Sequence, residues 1–145
     1  MNEILDIGEV TTRDKVIALE SLMKEQPQLE LKVVHYFSPG VYARELHIPA
    51  GTMLTGKIHK YEQLNILVKG DMSVLTENGM KRVQAPFTVV SPAGTKRIAY
   101  AHEDCVWTTI LGTEQKDPEQ IENSFTVNNE QEYLDFCKTI DLIGN

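Results

Sequence analysis

The sequence is poor in cysteine and has no long apolar run. Cys105 and Cys137 are its only cysteines; two are too few for a disulfide framework, and reduced thiols of a cytosolic protein are the expectation. No stretch approaches the ~20 apolar residues that span a bilayer, so no membrane partner is expected. The start, Met1-Asn2-Glu3-Ile4-Leu5-Asp6, lacks the basic region and apolar core of a signal peptide, and the expected location is the cytoplasm. Basic residues are short as well: 14 Lys and Arg against 21 Asp and Glu leave a net charge of −7. A nucleic-acid polymer calls for a basic excess and is not an expected partner, although an acidic chain can still hold a local cationic pocket. Walker-type loops, dinucleotide fingerprints and Ser-His-Asp orders are missing, as are internal repeats.

What is present suits one domain: 145 residues, 41% of them hydrophobic. Asp14 to Lys24 reads as a helix, with Val16, Leu19, Leu22 and Met23 on one face, Thr12 or Asp14 as cap and Pro27 beyond its end. From Leu29 to Leu111 the pattern turns to strands, over Leu29–Phe37, Val41–Ile48, Asn65–Val68, Met72–Leu75, Lys81–Val83, Thr88–Val90, Arg97–Tyr100 and Val106–Leu111. Turn residues separate them, including Ser38-Pro39-Gly40, Lys69-Gly70-Asp71, Glu77-Asn78-Gly79 and Ser91-Pro92-Ala93-Gly94. Short strands without interleaved helices predict an all-β sandwich or barrel. Thr113 to Asn123 reads as an acidic linker. Glu130 to Ile140 reads as a helix capped by Asn129, with Tyr133, Phe136, Cys137 and Ile140 on one face. The expected division is 1–28, a helical segment packing on the barrel; 29–112, the β-barrel; and 113–145, linker and C-terminal helix.

The stretch from Gly51 through Lys57, His59, Glu62, Gln63 and Asn65 to Gly70 resembles the first cupin motif: a glycine, a His-x-His pair, a glutamate and a closing glycine. Both glycines match, and the second histidine falls on His59. Lys57 stands for the first histidine, and Gln63, next to Glu62, for the glutamate. Ser91-Pro92-Ala93-Gly94-Thr95-Lys96-Arg97 resembles the second motif, with Arg97 in place of its histidine, Ala101 in place of its asparagine and Pro86 in place of its leading glycine. The resemblance spans about residues 40 to 112. It implies an all-β, cupin-type jelly-roll β-barrel with short N- and C-terminal helices, pairing as a homodimer, with one of four metal ligands in place. The stretches Gly56–Lys60 and Ala101–Ile110 also resemble small cupin-like proteins of bacteriophages and prophages, which implies a protein of the host cytoplasm; that group lends no activity, and sequestration of a host signalling nucleotide is an expectation from the phage context alone.

If His59 points into the barrel, strand alternation aims Lys57 there too; the orientation that the resemblance implies for the second motif aims Arg97 inward, with Gln63 and Asn65 on the next strand and Trp107 and Thr109 on a neighbour. Cations repel a metal ion but suit an anion: Arg97 offers a fork, Lys57 a point charge. The expected ligand-binding set is Lys57, His59, Gln63, Asn65, Arg97, Tyr100, Trp107 and Thr109. The expected function is non-enzymatic binding of a small anion, such as a nucleotide or sugar phosphate, with no cofactor. Competing readings are a filled barrel in which Lys57 is solvated, Arg97 pairs with Glu45 or Glu62 and Trp107 is core; a rearranged divalent-metal site of His59, Glu62 and His102, with Glu45 and His47 in reserve; a metal-dependent dioxygenase or isomerase; a metal-free sugar epimerase using His59 with Tyr100 or Tyr42; and a dimeric scaffold. His35 reads as a packed or surface histidine. Cys105, after Glu103 and Asp104, reads as a poor nucleophile because nearby negative charge raises a thiol pKa.

Overall fold

The computed structural model describes residues 30–76 and 79–144, with Ala18. Apart from Ala18, the helix expected over Asp14–Lys24 lies outside the described residues, as do Glu77 and Asn78 of the expected hairpin turn. Ten strands come first: β1 (Lys32–Ser38), β2 (Val41–Ile48), β3 (Met53–Thr55), β4 (Ile58–His59), β5 (Gln63–Lys69), β6 (Asp71–Thr76), β7 (Gly79–Gln84), β8 (Phe87–Ser91), β9 (Ile98–Ala101) and β10 (Cys105–Gly112). Helix α1 (Pro118–Phe125), strand β11 (Thr126–Val127) and helix α2 (Glu130–Gly144) follow.

The strands form two antiparallel sheets, β1-β2-β10-β5-β8 and β3-β9-β6-β7, and β4 pairs with β11. Alternation decides what each strand buries. In β2, Tyr42, Leu46 and Ile48 are buried on the inner face, while Glu45 and His47 pair on the other at 2.9 Å. One end of the barrel is closed by Leu46, Ile48, Leu67, Met72, Val83, Ala99, Ala101 and Cys105. Each large aliphatic side chain among these contributes about 1.5–3 kcal/mol by leaving water. Asp71, 4% exposed, accepts a fork from Arg82 (Nε and Nη2, both 3.0 Å) and a bond from Gln84 at 3.1 Å, which pins β6 to β7.

The segment expected as a linker contains α1. Asp117 caps it, its carboxylate accepting from Glu119 N at 3.0 Å, with Pro118 at the first position. Its only buried residue, Ile121, packs with Tyr42, Leu111 and Phe125 against the other end of the barrel. So sparse an apolar stripe leaves a weak periodic signal, while the Asp-Pro pair marks the helix start. Helix α2 has the expected cap: Asn129 Oδ1 accepts from Glu132 N at 2.9 Å. Tyr61 sits edge-on to Phe125 and Phe136, at 5.7 and 5.4 Å between centroids. Gly94, at φ +82°, is the one residue type that lets Tyr133 lie against it, since a Cβ there would fall 2.6 Å from the Tyr133 hydroxyl. The C-terminal segment thus grips β4, with Thr126 opposite His59 and Lys60 N bonded to Phe125 O at 2.9 Å.

Candidate functional site

Between the sheets lies a cavity of about 920 Å³, whose lining includes the polar side chains His35, Tyr42, Arg44, Lys57, His59, Gln63, Arg97 and Thr109, the carboxylates Glu119 and Glu122 of α1, and Trp107. Register explains the grouping. Arg44 of β2 lies opposite Thr109 of β10, which lies opposite Asn65 of β5; one step along, Leu46, Trp107 and Leu67 form the next row. His59 is fixed by its backbone, taking the Gly94 N–H at 2.7 Å and giving its own N–H to Thr95 O at 3.2 Å.

A buried chain of hydrogen bonds runs beneath the cavity. Thr109 donates to Asn65 Oδ1 at 2.7 Å, and Asn65 Nδ2 donates to Ser91 Oγ at 2.9 Å and lies 3.4 Å from Gln63 Oε1. Gln63 Nε2 donates to His59 Nδ1 at 2.8 Å. Arg97 Nη2 donates to the same Ser91 Oγ at 2.6 Å, and its guanidinium lies over the Trp107 ring at 5.3 Å. With Nδ1 accepting, the His59 proton sits on Nε2. Burial, then the charges of Arg97, Arg44 and Lys96, push the His59 pKa down to about 4, so the ring is neutral at pH 7 and offers a donor.

The expected residues separate into groups. His59, Gln63, Arg97, Trp107 and Thr109 line the cavity together. Asn65, fully buried, supports its floor rather than lining it. Lys57 reaches the lining but pairs with Glu122 of α1 at 3.3 Å. Tyr100 does not belong to the set: its register with Met53 and Ser73 turns it outward, 37% exposed, with its ring against His102 at 5.0 Å. Arg97 and Ala99 line the cavity, so alternation sends Tyr100 the other way. Sequence reasoning passed over Arg44, although Tyr42, Leu46 and Ile48 already set its parity. It also passed over Lys96, 3% exposed, which donates to Gly56 O at 2.9 Å, and treated as unremarkable His35, which lines the cavity and bonds the Tyr42 hydroxyl at 2.7 Å.

The rearranged metal trio does not assemble. Glu62 is exposed, one position off the inward register of Gln63. His102 is held through Nε2 by Ser73 Oγ at 2.7 Å, and Glu45 and His47 occupy each other. Among the described residues no three His, Cys, Asp or Glu side chains come together. The groups around His59 are an amide, a hydroxyl and guanidinium ions, which do not suit a divalent metal. Cys105 is buried, and burial ahead of neighbouring charge raises its thiol pKa.

No protein-family model matches the sequence, and no curated protein matches it. Solved structures do resemble the fold. Salicylate 1,2-dioxygenase from Pseudaminobacter salicylatoxidans superposes with a TM-score of 0.54 at 12% identity, over 77% of this chain and 34% of its own, so the present chain spans about a third of it. KdgF from a Halomonas species gives a TM-score of 0.48 at 19% identity, over 63% of this chain and 92% of its own. A cupin-2 domain containing protein from Shewanella frigidimarina gives 0.46 at 16% identity, over 70% and 99%. Two antiparallel sheets closed around an inward-facing His59, together with the superposition on the dioxygenase, give this chain the cupin jelly-roll fold.

Proposed function

We propose that the protein is a small-molecule-binding cupin whose barrel holds an organic anion, with nucleotides and sugar phosphates as the first classes to try. The observation that carries this reading is the pair Arg44 and Arg97 at the cavity, whose positive charges both act on a neutral, donor-bearing His59. Two guanidinium groups and an N–H favour a negatively charged guest; of the two carboxylates that also line the cavity, Glu122 is already paired with Lys57. Binding is favoured over turnover because His59 has no lone pair to offer: Nδ1 takes the Gln63 bond and Nε2 carries the proton. That also weakens the epimerase reading, which loses Tyr100 to the outer face and finds the Tyr42 pKa raised by burial. Sequestration of a host signalling nucleotide, implied by the phage resemblance, draws no support from the fold neighbours. Homodimerisation is supported by Tyr36 and Val41, which are exposed on the outer face of β1 and β2 at the edge of the sheet.

Titration with inorganic phosphate, nucleotides and sugar phosphates, followed by thermal unfolding, tests the reading. A ligand at a hundred times its Kd stabilises the native state by about 2.7 kcal/mol. The reading fails if no anion shifts the midpoint, or if Arg44→Gln and Arg97→Gln respond as the parent does.

A further inference from the structure

Behind Arg97 and Trp107 lies a second, smaller pocket of about 220 Å³ between the sheets. Its wall is mostly apolar, built from Val74, Val83, Phe87, Val89 and Pro92 with the hydroxyls of Ser91 and Thr95, and it carries two cations, Arg97 and Lys81, the latter with Nζ 4.9 Å above the Phe87 ring. Arg97, Trp107 and Val74 line both this pocket and the large cavity, so the guanidinium stands at the boundary between them.

We propose that the ligand is an amphipathic carboxylate whose charged head meets Arg97 and whose apolar arm, aliphatic or aryl, enters the pocket between β7 and β8. This rests on the anion-binding reading above and narrows it. The physical argument is one of matching. A sugar or other polyhydroxylated arm would bring several hydroxyls against Val83, Phe87 and Val89, while the pocket's own hydroxyls are engaged, Ser91 accepting from Asn65 and Arg97 and Thr95 donating to Pro92 O, so that hydroxyls left without a partner would weaken binding. An alkyl or phenyl arm instead gains from leaving water, by about fourfold in affinity per methylene. Space suffices, since a dry apolar cavity of about 150 Å³ already takes up benzene. Arg97 is suited to the boundary because its guanidinium is charged along its edge and stackable on its face, and Trp107 already covers one face.

The test is an NMR titration of the whole chain with acetate, butanoate, hexanoate and phenylacetate, alongside hexan-1-ol, inorganic phosphate and a hexose phosphate. Affinity is expected to climb about fourfold per methylene from acetate to hexanoate, and hexan-1-ol to bind at least about tenfold more weakly than hexanoate, the scale of a bond to a charged group. Val89→Phe, which fills the pocket, is expected to flatten the climb and leave acetate unchanged. Arg97→Gln is expected to weaken every acid alike and keep the climb. If the hexose phosphate or phosphate binds as tightly as hexanoate, or affinity is independent of chain length, the amphipathic ligand is wrong while the anion site stands. If no anion binds, both fall. Should Val89→Phe fail to fold, the chain-length series on the parent decides alone.

Discussion

Gln63 donates to His59 Nδ1 at 2.8 Å, and this bond sets what the imidazole can do. In the cupin motif that this stretch resembles, the position holds a glutamate; here an amide supplies a donor, which leaves the ring neutral with its proton on Nε2. Gln63→Glu reverses that polarity with almost no change in shape. A carboxylate accepts from Nδ1–H and favours the imidazolium, by about 1–3 pH units at this range. Nitrogen-15 NMR is expected to show the neutral tautomer switching from Nε2–H to Nδ1–H and the His59 pKa rising well above about 4. An unchanged tautomer would mean the Gln63 amide is oriented the other way.

The same depressed pKa makes stability pH-dependent. His59 titrates near 4 when folded and near 6.5 when unfolded, so between those values the unfolded chain binds more protons. Its contribution is fully present above about pH 6.5 and is lost as the pH falls towards 4, by about 3 kcal/mol at most. Asp71 acts in a separate, lower window: the Arg82 hydrogen bonds, then that of Gln84, hold its carboxyl down to about 2 from 3.8, so its contribution is lost only below about pH 4. Denaturant unfolding from pH 7 to pH 3 is expected to show two descending steps. His59→Gln removes the upper step and Arg82→Ala the lower, and a profile unaltered by His59→Gln contradicts the assignment.

The three cations at the cavity are not equivalent. Arg44 and Arg97 both bear on His59, whereas Lys57 is 40% exposed and carries Glu122 as its counter-ion. Hydrogen bonds to a charged group are worth about 1.5–3 kcal/mol, so Arg44→Gln and Arg97→Gln are each expected to weaken anion binding by about 10- to 100-fold. Lys57→Gln is expected to change it by less than about threefold, since a solvated pair contributes little. Both arginine variants also remove a like charge from His59 and raise its pKa, which separates an electrostatic effect from a general loss of fold. Calorimetry and the His59 titration, run on the same three variants, give both readouts.

Much of this arrangement is visible in the residue order. The alternation of β2, the glycines flanking the first motif and the Asn129 cap all appear where local chemistry puts them, because each depends on neighbours within a few residues. Arg44 and Tyr100 are equally legible by strand parity, which puts Arg44 on the face of Tyr42 and Leu46 and Tyr100 on the face opposite Arg97. β3, β4 and β11 are two or three residues long and exist through partners far along the chain, which no local pattern announces. Lys96 belongs to the same class: its burial depends on a carbonyl at Gly56, forty residues away. The amide at Gln63 and the guanidinium at Arg97 could be read directly, while the neutrality of His59 follows only from burial and from arginines that converge in space.

Gly94 ties the C-terminal helix to the site, and its replacement tests whether that helix helps to hold His59 in place. The residue combines φ +82° with a Tyr133 hydroxyl where a Cβ would stand, and its N–H donates to His59 O at 2.7 Å. Gly94→Ala therefore meets two separate obstacles. The left-handed backbone alone costs on the order of 1–3 kcal/mol for a non-glycine residue, and the overlap with Tyr133 adds to it by pushing α2 off the loop. Tyr133→Ala in the same chain relieves the second and leaves the first. The double variant is thus expected to be less destabilised than the sum of the two single changes, a coupling of about 0.5–3 kcal/mol for groups in contact. Thermal unfolding of the four chains measures that coupling, and the His59 resonance shows whether the imidazole moves with the loop. Strict additivity would show that Tyr133 does not press on Gly94, and that α2 takes no part in placing His59.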